Sequence, residues 1–447
     1  MSNSFGITRL SAIILATTLV AGNGVAQQKD QSPVLQLSAL GKVLIPESSV
    51  EPREEAGKGV KAYTGHILLL PTDMPAGVED YVGPAPSGET PASIAAVYKL
   101  QPGGGATIGI VDAFDYPTAE ADLETFSQTF GLPLCNSFNG CFKKVYAEGT
   151  VPSMNRAWSL EACLDIEWAH AMAPNARIVL VEAADNSIMG LMKAVAVANE
   201  IVSPHGQGFG EISMSFGASE WPLEGLYDGF FTQPGVVYIA GSGDVGGKTN
   251  YPSTSPNVIA AGGTSIQRTL ITAGVPNPSG QFLKEIGWAG SGGGSSSYVT
   301  RPEYQNSIVS IVGTQRGVPD VSFDANPFSG VSIYTTTSYR GFSGWLVLGG
   351  TSVAAPSIAG IINTEGHYYN STEIELDHIY SELGTGSLRD IVVGKAGKFT
   401  ATTGWDFVTG VGVKVGVSGG SSNSNSSGGG NGNNPGGCHR RGTCGSY

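Results

Sequence analysis

Between residues 108 and 261, short apolar runs alternate with longer stretches of helical periodicity, and this alternation restricts the fold more than any other feature of the chain. Residues 108–114 (IGIVDAF) read as a strand, 118–130 as an amphipathic helix, 154–172 as a longer helix, and 177–183 (RIVLVEA) as another strand. A helix follows near 187–200, then strand-like stretches at 211–216, 236–240 and 257–261. Apolar strands separated by helices point to a parallel sheet covered on both faces. In such sheets active sites gather beyond the carboxyl ends of the strands. With 447 residues, 40% of them hydrophobic, the chain has ample material for the core this demands.

Charged residues make up 14% of the chain, against about 25% in a typical domain, and the formal net charge is -13. That balance disfavours nucleic acid as a partner. An acidic surface loses charge as carboxylates protonate, which is compatible with work in acid without establishing it. At the N-terminus, Arg9, an apolar run from Leu10 to Ala21, and Gly24-Val25-Ala26 before Gln27 form the three regions of a secretory signal peptide, residues 1–26. No later segment resembles a membrane span, so a secreted, extracellular protein is expected, in a compartment that permits disulfides. Cys135 with Cys141 and Cys438 with Cys444 lie at matching spacings in polar, glycine-containing loops and are the expected pairs. Cys163, inside a helical pattern, reads as a buried apolar residue. Residues 27–85, with weak strand periodicity from Val60 to Leu70, look like a short prosegment or N-terminal extension, and 419–447 like a flexible Gly/Ser/Asn-rich tail ending in a Cys-bounded basic loop.

Gly344 to Leu348 reads as a short buried strand, and the segment 349–356 (GGTSVAAP) follows it as a glycine turn opening an apolar helix. Glycines allow close substrate approach, and a helix N-terminus offers unpaired N–H groups to a developing oxyanion. Ser352 is therefore a candidate nucleophile, with a helix cap as the plain alternative. A serine hydroxyl needs a base. Glu161, Asp165 and Trp168 fall at i, i+4 and i+7 of the 154–172 helix and share one face. Paired carboxylates in a partly apolar site can share a proton and take one from serine in acid, where histidine is already charged. An exposed acidic face or a metal site would show the same pattern. His170 stands roughly 180° around the helix from Glu161 and reads as a core or supporting residue, while His205 lies in a loop. Asp244 follows another buried strand within glycines, where only a protonated carboxyl could donate to an oxyanion, although Asp in such a turn is commonplace. Gly247-Lys248-Thr249 ends like a phosphate loop, but Ser242 stands where its first glycine is required.

Together these residues resemble the sedolisins, or serine-carboxyl peptidases, a secreted family related in fold to subtilisins. The resemblance covers roughly residues 90–412 and is carried by 161–174 (EACLDIEWAHAMAP), Gly243-Asp244, 317–321 (GVPDV, with Asp320) and 350–356 (GTSVAAP). It implies a subtilisin-like three-layer α/β sandwich, with a mostly parallel central sheet and helices on both faces, over residues 86–418. It further implies an acid-acting endopeptidase that works through an acyl-enzyme on Ser352, with Glu161 as general base and acid, Asp165 orienting it and Asp244 as oxyanion donor. Substrates would be peptides or unfolded proteins, and the chain a monomer. Subtilisins share the serine segment, but their histidine-bearing helix is replaced here by the acidic one. The resemblance also implies a Ca2+ site formed by Asp390, Ile391, Thr402, Gly404 and Asp406, with Thr402 standing where a glycine is expected. Residues 27–85 are few for the family's prodomain, and Phe216 replaces a tryptophan expected near the substrate groove. A non-catalytic peptide-binding protein on a retained peptidase fold, and a classical subtilisin-type enzyme using His170, are the alternatives.

Overall fold

The computed structural model describes residues 34–38, 41–52, 59–71, 80–269 and 278–416. The expected leader, the glycine-rich tail and the Cys438–Cys444 pair lie outside these residues. The front of the chain forms β1 (Val34–Ser38), β2 (Gly41–Ile45), β3 (Tyr63–Thr64), β4 (Ile67–Leu69), β5 (Tyr81–Gly83) and α1 (Pro91–Tyr98). The expected alternation follows as β6 (Thr107–Ala113), α2 (Ala119–Phe130), β7 (Phe142–Tyr146), α3 (Arg156–Met172), β8 (Arg177–Ala183) and α4 (Ile188–Val202). It continues through β9 (Gly210–Met214), β10 (Phe216–Ser219), β11 (Val236–Gly241), β12 (Asn250–Tyr251) and β13 (Ile259–Arg268). Then come β14 (Phe282–Gly287), β15 (Gly294–Thr300), α5 (Val309–Val312), β16 (Gln315–Val318), β17 (Val321–Asp324), β18 (Val331–Tyr339) and β19 (Phe342–Gly349). The chain closes with α6 (Thr351–Thr364), α7 (Thr372–Ser381), β20 (Leu388–Arg389), β21 (Lys395–Ala396), β22 (Phe399–Thr400) and β23 (Val413–Lys414).

The central sheet runs β20-β23-β17-β13-β11-β9-β6-β8-β7, with β14 also on β13. From β23 to β7 every pairing is parallel, while β20 and β14 join antiparallel. Side chains alternate between two cores, as period-2 geometry requires. Along β6, Ile108 and Ile110 join one core and Val111 and Ala113 the other; β8 divides Ile178 and Leu180 from Val179 and Val181. α3 and α6 cover the first face and α4 the second, which completes a three-layer α/β sandwich. Each aliphatic side chain fully buried this way contributes about 1.5–3 kcal/mol, so each strand's register is strongly held.

A second sheet, β1-β2-β4-β19-β18 with β5 on β19, joins the front of the chain to the hairpin before Ser352. The strand leading to the serine therefore pairs antiparallel with β18 and β4 and is no part of the parallel sheet. A buried apolar run does not disclose its partner; here Arg340 (φ 50) and Gly341 (φ 83) make the two-residue turn that folds β18 onto β19. α3 is capped by Asn155, whose side chain accepts the N–H groups of Ala157 and Trp158, and from Ala157 to Met172 it is buried on every side. Cys135 and Cys141 form the expected disulfide, and Cys163 is free and buried. Among the described residues no helix is long and apolar enough to cross a membrane.

Candidate active site

β19 delivers the chain to the N-terminus of α6 through Gly350, whose φ is +109°. A Cβ there would overlap the carbonyl oxygen of Gly65 and stand 2.6 Å from Asp244 Oδ2, so the position requires glycine on both counts. Gly350 occupies the cap position without a side-chain bond, and Ser352 lies inside the first turn, which removes the helix-cap alternative. The first N–H groups of α6 find partners outside the helix. Thr351 N–H donates to Asp244 Oδ1 at 2.8 Å, and Ser352 N–H donates to the carbonyl of Gly65 at 3.0 Å. A helix N-terminus favours both kinds of acceptor. Ser352 is fully buried; its Oγ accepts the N–H of Gly65 at 3.0 Å and lies 3.4 Å from the carbonyl of Ser215. Pro356 has no N–H to offer the Ser352 carbonyl one turn earlier, and the Ser215 hydroxyl lies 3.4 Å from that oxygen instead.

Ser215 also joins this turn to α3, because its Oγ lies 2.8 Å from Asp165 Oδ1. Glu161 and Asp165 are both fully buried, and a third acid joins them from the sheet: Asp112, on the same side of β6 as Ile108 and Ile110. Burial first, then the charges of Glu161 and Glu182, pushes the Asp112 carboxyl well up. Burial, then Asp112 and Glu161, does the same to Asp165. The Ser215 hydroxyl donates to Asp165 Oδ1, which opposes part of that rise. Among the described residues Asp112, Glu161 and Asp165 make no ion pair with lysine or arginine, and Glu161 Oε1, Asp165 Oδ2 and both Asp112 oxygens have no hydrogen-bond partner. Asp244 is pushed up to about 8, chiefly by burial of its carboxyl end and further by the charge of Glu161, against the hydrogen bonds from Thr351. Below that pH it carries a proton, and its partnerless Oδ2 lies beside the Gly65 carbonyl at the Gly350 turn.

Of the four expected residues, Asp244 is bonded to Thr351 next to Ser352, Asp165 reaches the Ser352 carbonyl only through Ser215, and Glu161 acts on Asp165 and Asp244 through its charge. Trp168, on the same stripe of α3, sends its indole N–H to the Ser332 carbonyl at 3.0 Å and ties that stripe to the second sheet. His170 is buried with Nε2 2.8 Å from the Pro133 carbonyl, and His205 is exposed beside Glu200, so neither is bonded to Ser352. Asp320 is buried in a different environment: Arg316 pairs with both its oxygens at 3.0 and 2.7 Å, and Tyr380 and the Ala260 N–H complete its shell. Phe216 is buried at the start of β10, which pairs on its two sides with β3 and β12.

Two residues of the site escaped sequence reasoning. An acid inside the apolar run 108–114 was a legible sign of Asp112, because an ionisable group in a buried strand is rarely idle. His66 had no local sign. Its Nδ1 is hydrogen-bonded to Glu161 Oε2, and both side chains are fully buried.

The residues expected to hold calcium lie on one loop system. Asp390 Oδ2 accepts the Gly404 N–H at 2.8 Å, and Asp406 accepts the N–H groups of Thr402, Val408 and Thr409 at 2.8, 2.8 and 3.0 Å. Ile391 has a buried side chain and would offer only its carbonyl. The donor set is all oxygen and fits a hard cation. Among the described residues, the single cluster of three metal-capable groups is Cys135, Cys141 and His170, and its two sulfurs are joined to each other.

A model of the subtilase family matches residues 157–412. The chain belongs to the subtilase family. The relatives it is similar to include a kumamolisin and a sedolisin. This subtilase is 28% identical to kumamolisin of Bacillus sp. (strain MN-32) over 294 residues, covering 58% of this chain and 49% of kumamolisin. It is 35% identical to sedolisin of Pseudomonas sp. (strain 101) over 177 residues, covering 36% of this chain and 28% of sedolisin. It therefore spans less than half of either relative. Its fold matches that of Pseudomonas sedolisin, a serine-carboxyl proteinase solved with two molecules of pseudo-iodotyrostatin, at a TM-score of 0.60 and 24% identity over 74% of this subtilase and 96% of that chain.

Proposed function

We propose that this chain is a secreted serine-type endopeptidase of the serine-carboxyl kind, hydrolysing peptides or unfolded proteins in acid. The observation that supports it best is that Ser352 N–H donates to a peptide carbonyl while Asp244 accepts the Thr351 N–H of the same turn, with buried acids on α3 that have no lysine or arginine pair among the described residues. In this reading Ser352 Oγ attacks the scissile carbonyl while Glu161 takes its proton; the oxyanion is held by Ser352 N–H and protonated Asp244. Glu161 then protonates the leaving amine and activates water for deacylation. Asp165 holds a proton on the far side, and Asp112 keeps charge from accumulating in the cluster. Asp390 and Asp406, with carbonyls of Ile391, Thr402 and Gly404, would hold Ca2+, which when bound ties together the two loops that carry them. The full chain incubated with a denatured protein between about pH 3 and 7 should cleave it, and Ser352→Ala should lower the rate by about 10⁴-fold or more. Cleavage that survives Ser352→Ala would sink the reading, as would binding without turnover.

A further inference from the structure

Away from the serine, Cys135, Cys141 and His170 bring three metal-binding atoms together: both sulfurs and a ring nitrogen lie within 4.8 Å of one another. They come from two elements, since the cysteines lie on the loop between α2 and β7 and His170 stands on α3. His170 is fully buried, and its Nε2 donates to the carbonyl of Pro133, on the same loop, at 2.8 Å. The neutral ring then carries its lone pair on Nδ1, which has no hydrogen-bond partner among the described residues. Metal-binding histidines are oriented in this way, with the other ring nitrogen donating to a backbone carbonyl that fixes the tautomer. The loop is held by more than its disulfide. Asn139 Nδ2 donates to the Leu134 carbonyl at 2.7 Å, Cys141 N–H to Asn139 Oδ1 at 3.0 Å, and Phe142 N–H to the Asn136 carbonyl at 3.1 Å. Ser137 ties the loop to α2, its N–H and its hydroxyl each donating to Glu120 at 2.7 Å. Opening of the sulfur–sulfur bond therefore leaves both sulfurs on a loop that keeps them beside His170.

We propose that Cys135, Cys141 and His170 form a Zn2+ site once the disulfide is reduced, so that this corner of the molecule is closed either by a disulfide or by a metal. Cys135 is fully buried and Cys141 partly exposed, so a dithiol attacks the Cys141 sulfur. Its thiolate forms a mixed disulfide with Cys141 and releases Cys135. The second thiolate of the reagent then displaces Cys141, and the dithiol departs as its own disulfide. Two electrons have passed to the cysteine pair, and each sulfur takes a proton as it becomes a thiol. Zn2+ displaces those two protons and binds two thiolates and the His170 nitrogen, with a water as fourth ligand. Thiolate and imidazole suit this ion, in contrast to the all-oxygen set at Asp390 and Asp406. Bonds of about 2.3 Å to sulfur and about 2.0–2.1 Å to nitrogen set tetrahedral ligands roughly 3.5–3.8 Å apart, so His170 and the sulfurs close by about an ångström. The disulfide closes the loop on itself, whereas Zn2+ also joins it to α3, the helix of Glu161 and Asp165.

Metal titration of the full chain at about pH 7 tests this, in a Cys438→Ser/Cys444→Ser background that removes the other closely spaced cysteine pair. The protein is reduced with a dithiol, freed of it without air, and given Co2+ alone and then Zn2+. The expected result is one Co2+ per reduced chain with a thiolate-to-cobalt charge-transfer band, displaced by Zn2+, and no such band in the oxidised chain. Zn2+ should raise the melting temperature of the reduced chain by a few degrees and leave that of the oxidised chain unchanged. His170→Ala, which keeps its disulfide when oxidised, should bind Co2+ at least about tenfold more weakly once reduced. Cys135→Ser should lose the band, and Cys163→Ser should keep it. A reduced chain without the band, folded or not, overturns the proposal. So does a band that survives Cys135→Ser, or His170→Ala binding as tightly as its parent.

Discussion

Buried acids at two places in this molecule, Asp320 and the acids around α3, are built in opposite ways. Asp320 is fully buried, but Arg316 spans both its oxygens and Tyr380 and the Ala260 N–H supply the rest. Around α3, Asp112, Glu161 and Asp165 are equally buried and lack any lysine or arginine pair among the described residues. A charge fully matched by hydrogen bonds and an ion pair holds structure in place, because every group in it loses if one is removed. Asp112 and Asp165, set against neighbouring acids without lysine or arginine, are pushed up and hold their protons more tightly, the kind of group that can take part in proton transfer. Burial alone therefore does not distinguish a structural acid from a chemical one. The partners do.

The contrast is broken most forcefully from the structural side. Arg316→Met should destabilise the fold by about 3–5 kcal/mol in urea unfolding, because Asp320 is left buried without its partner. An unchanged unfolding midpoint would mean that the pair does no such work. On the chemical side, Glu161→Gln should lower kcat by about 10²–10⁴-fold with the unfolding midpoint kept or raised, which steady-state kinetics and a melt measure together. Equal losses of stability in the two variants would erase the distinction. Next, Asp244→Ala should cost about 10²–10³ in kcat, while Asp244→Asn keeps a donor and should lack the decline expected of wild type as pH rises through about 8.

The same groups set a pH dependence of stability. Asp244, Glu182 and Glu211 are each raised to about 8, and burial is the leading cause in all three. A raised carboxyl binds its proton more tightly folded than unfolded, so its stabilising share is complete below the unfolded value and is lost as pH rises through the folded one. The urea midpoint should therefore fall between about pH 4 and pH 8. A midpoint that rises over that range would show that these acids are ionised in the folded protein. The smallest expected effect is that of chelation, which should lower the melting temperature by a few degrees, with Asp390→Asn insensitive to added Ca2+.

Much of this was legible in one dimension because the signals are local. Period-2 and period-3.6 patterns mark β6, α2, α3 and β8 to within a residue or two, since each pattern reports which faces are buried. Glu161 and Asp165 could be paired by helix geometry alone, and Ser352 by its place after glycines at the head of a helix. The remainder was hidden because it depends on contacts distant in sequence. Asp112 joins Glu161 only once β6 packs beneath α3, and β19 leaves the parallel sheet only because β18 and β4 flank it.

By itself, then, the sequence determined the alternating core, the acidic stripe on α3 and the serine turn, all consequences of residue spacing on regular backbone. The tertiary structure decided which groups face one another across it. It set Gly65 against Ser352, 287 positions away, and His66 against Glu161, 95 positions away. No periodicity encodes such meetings, because they follow from how whole elements pack and from hydrogen-bonding groups that must find partners when water is excluded.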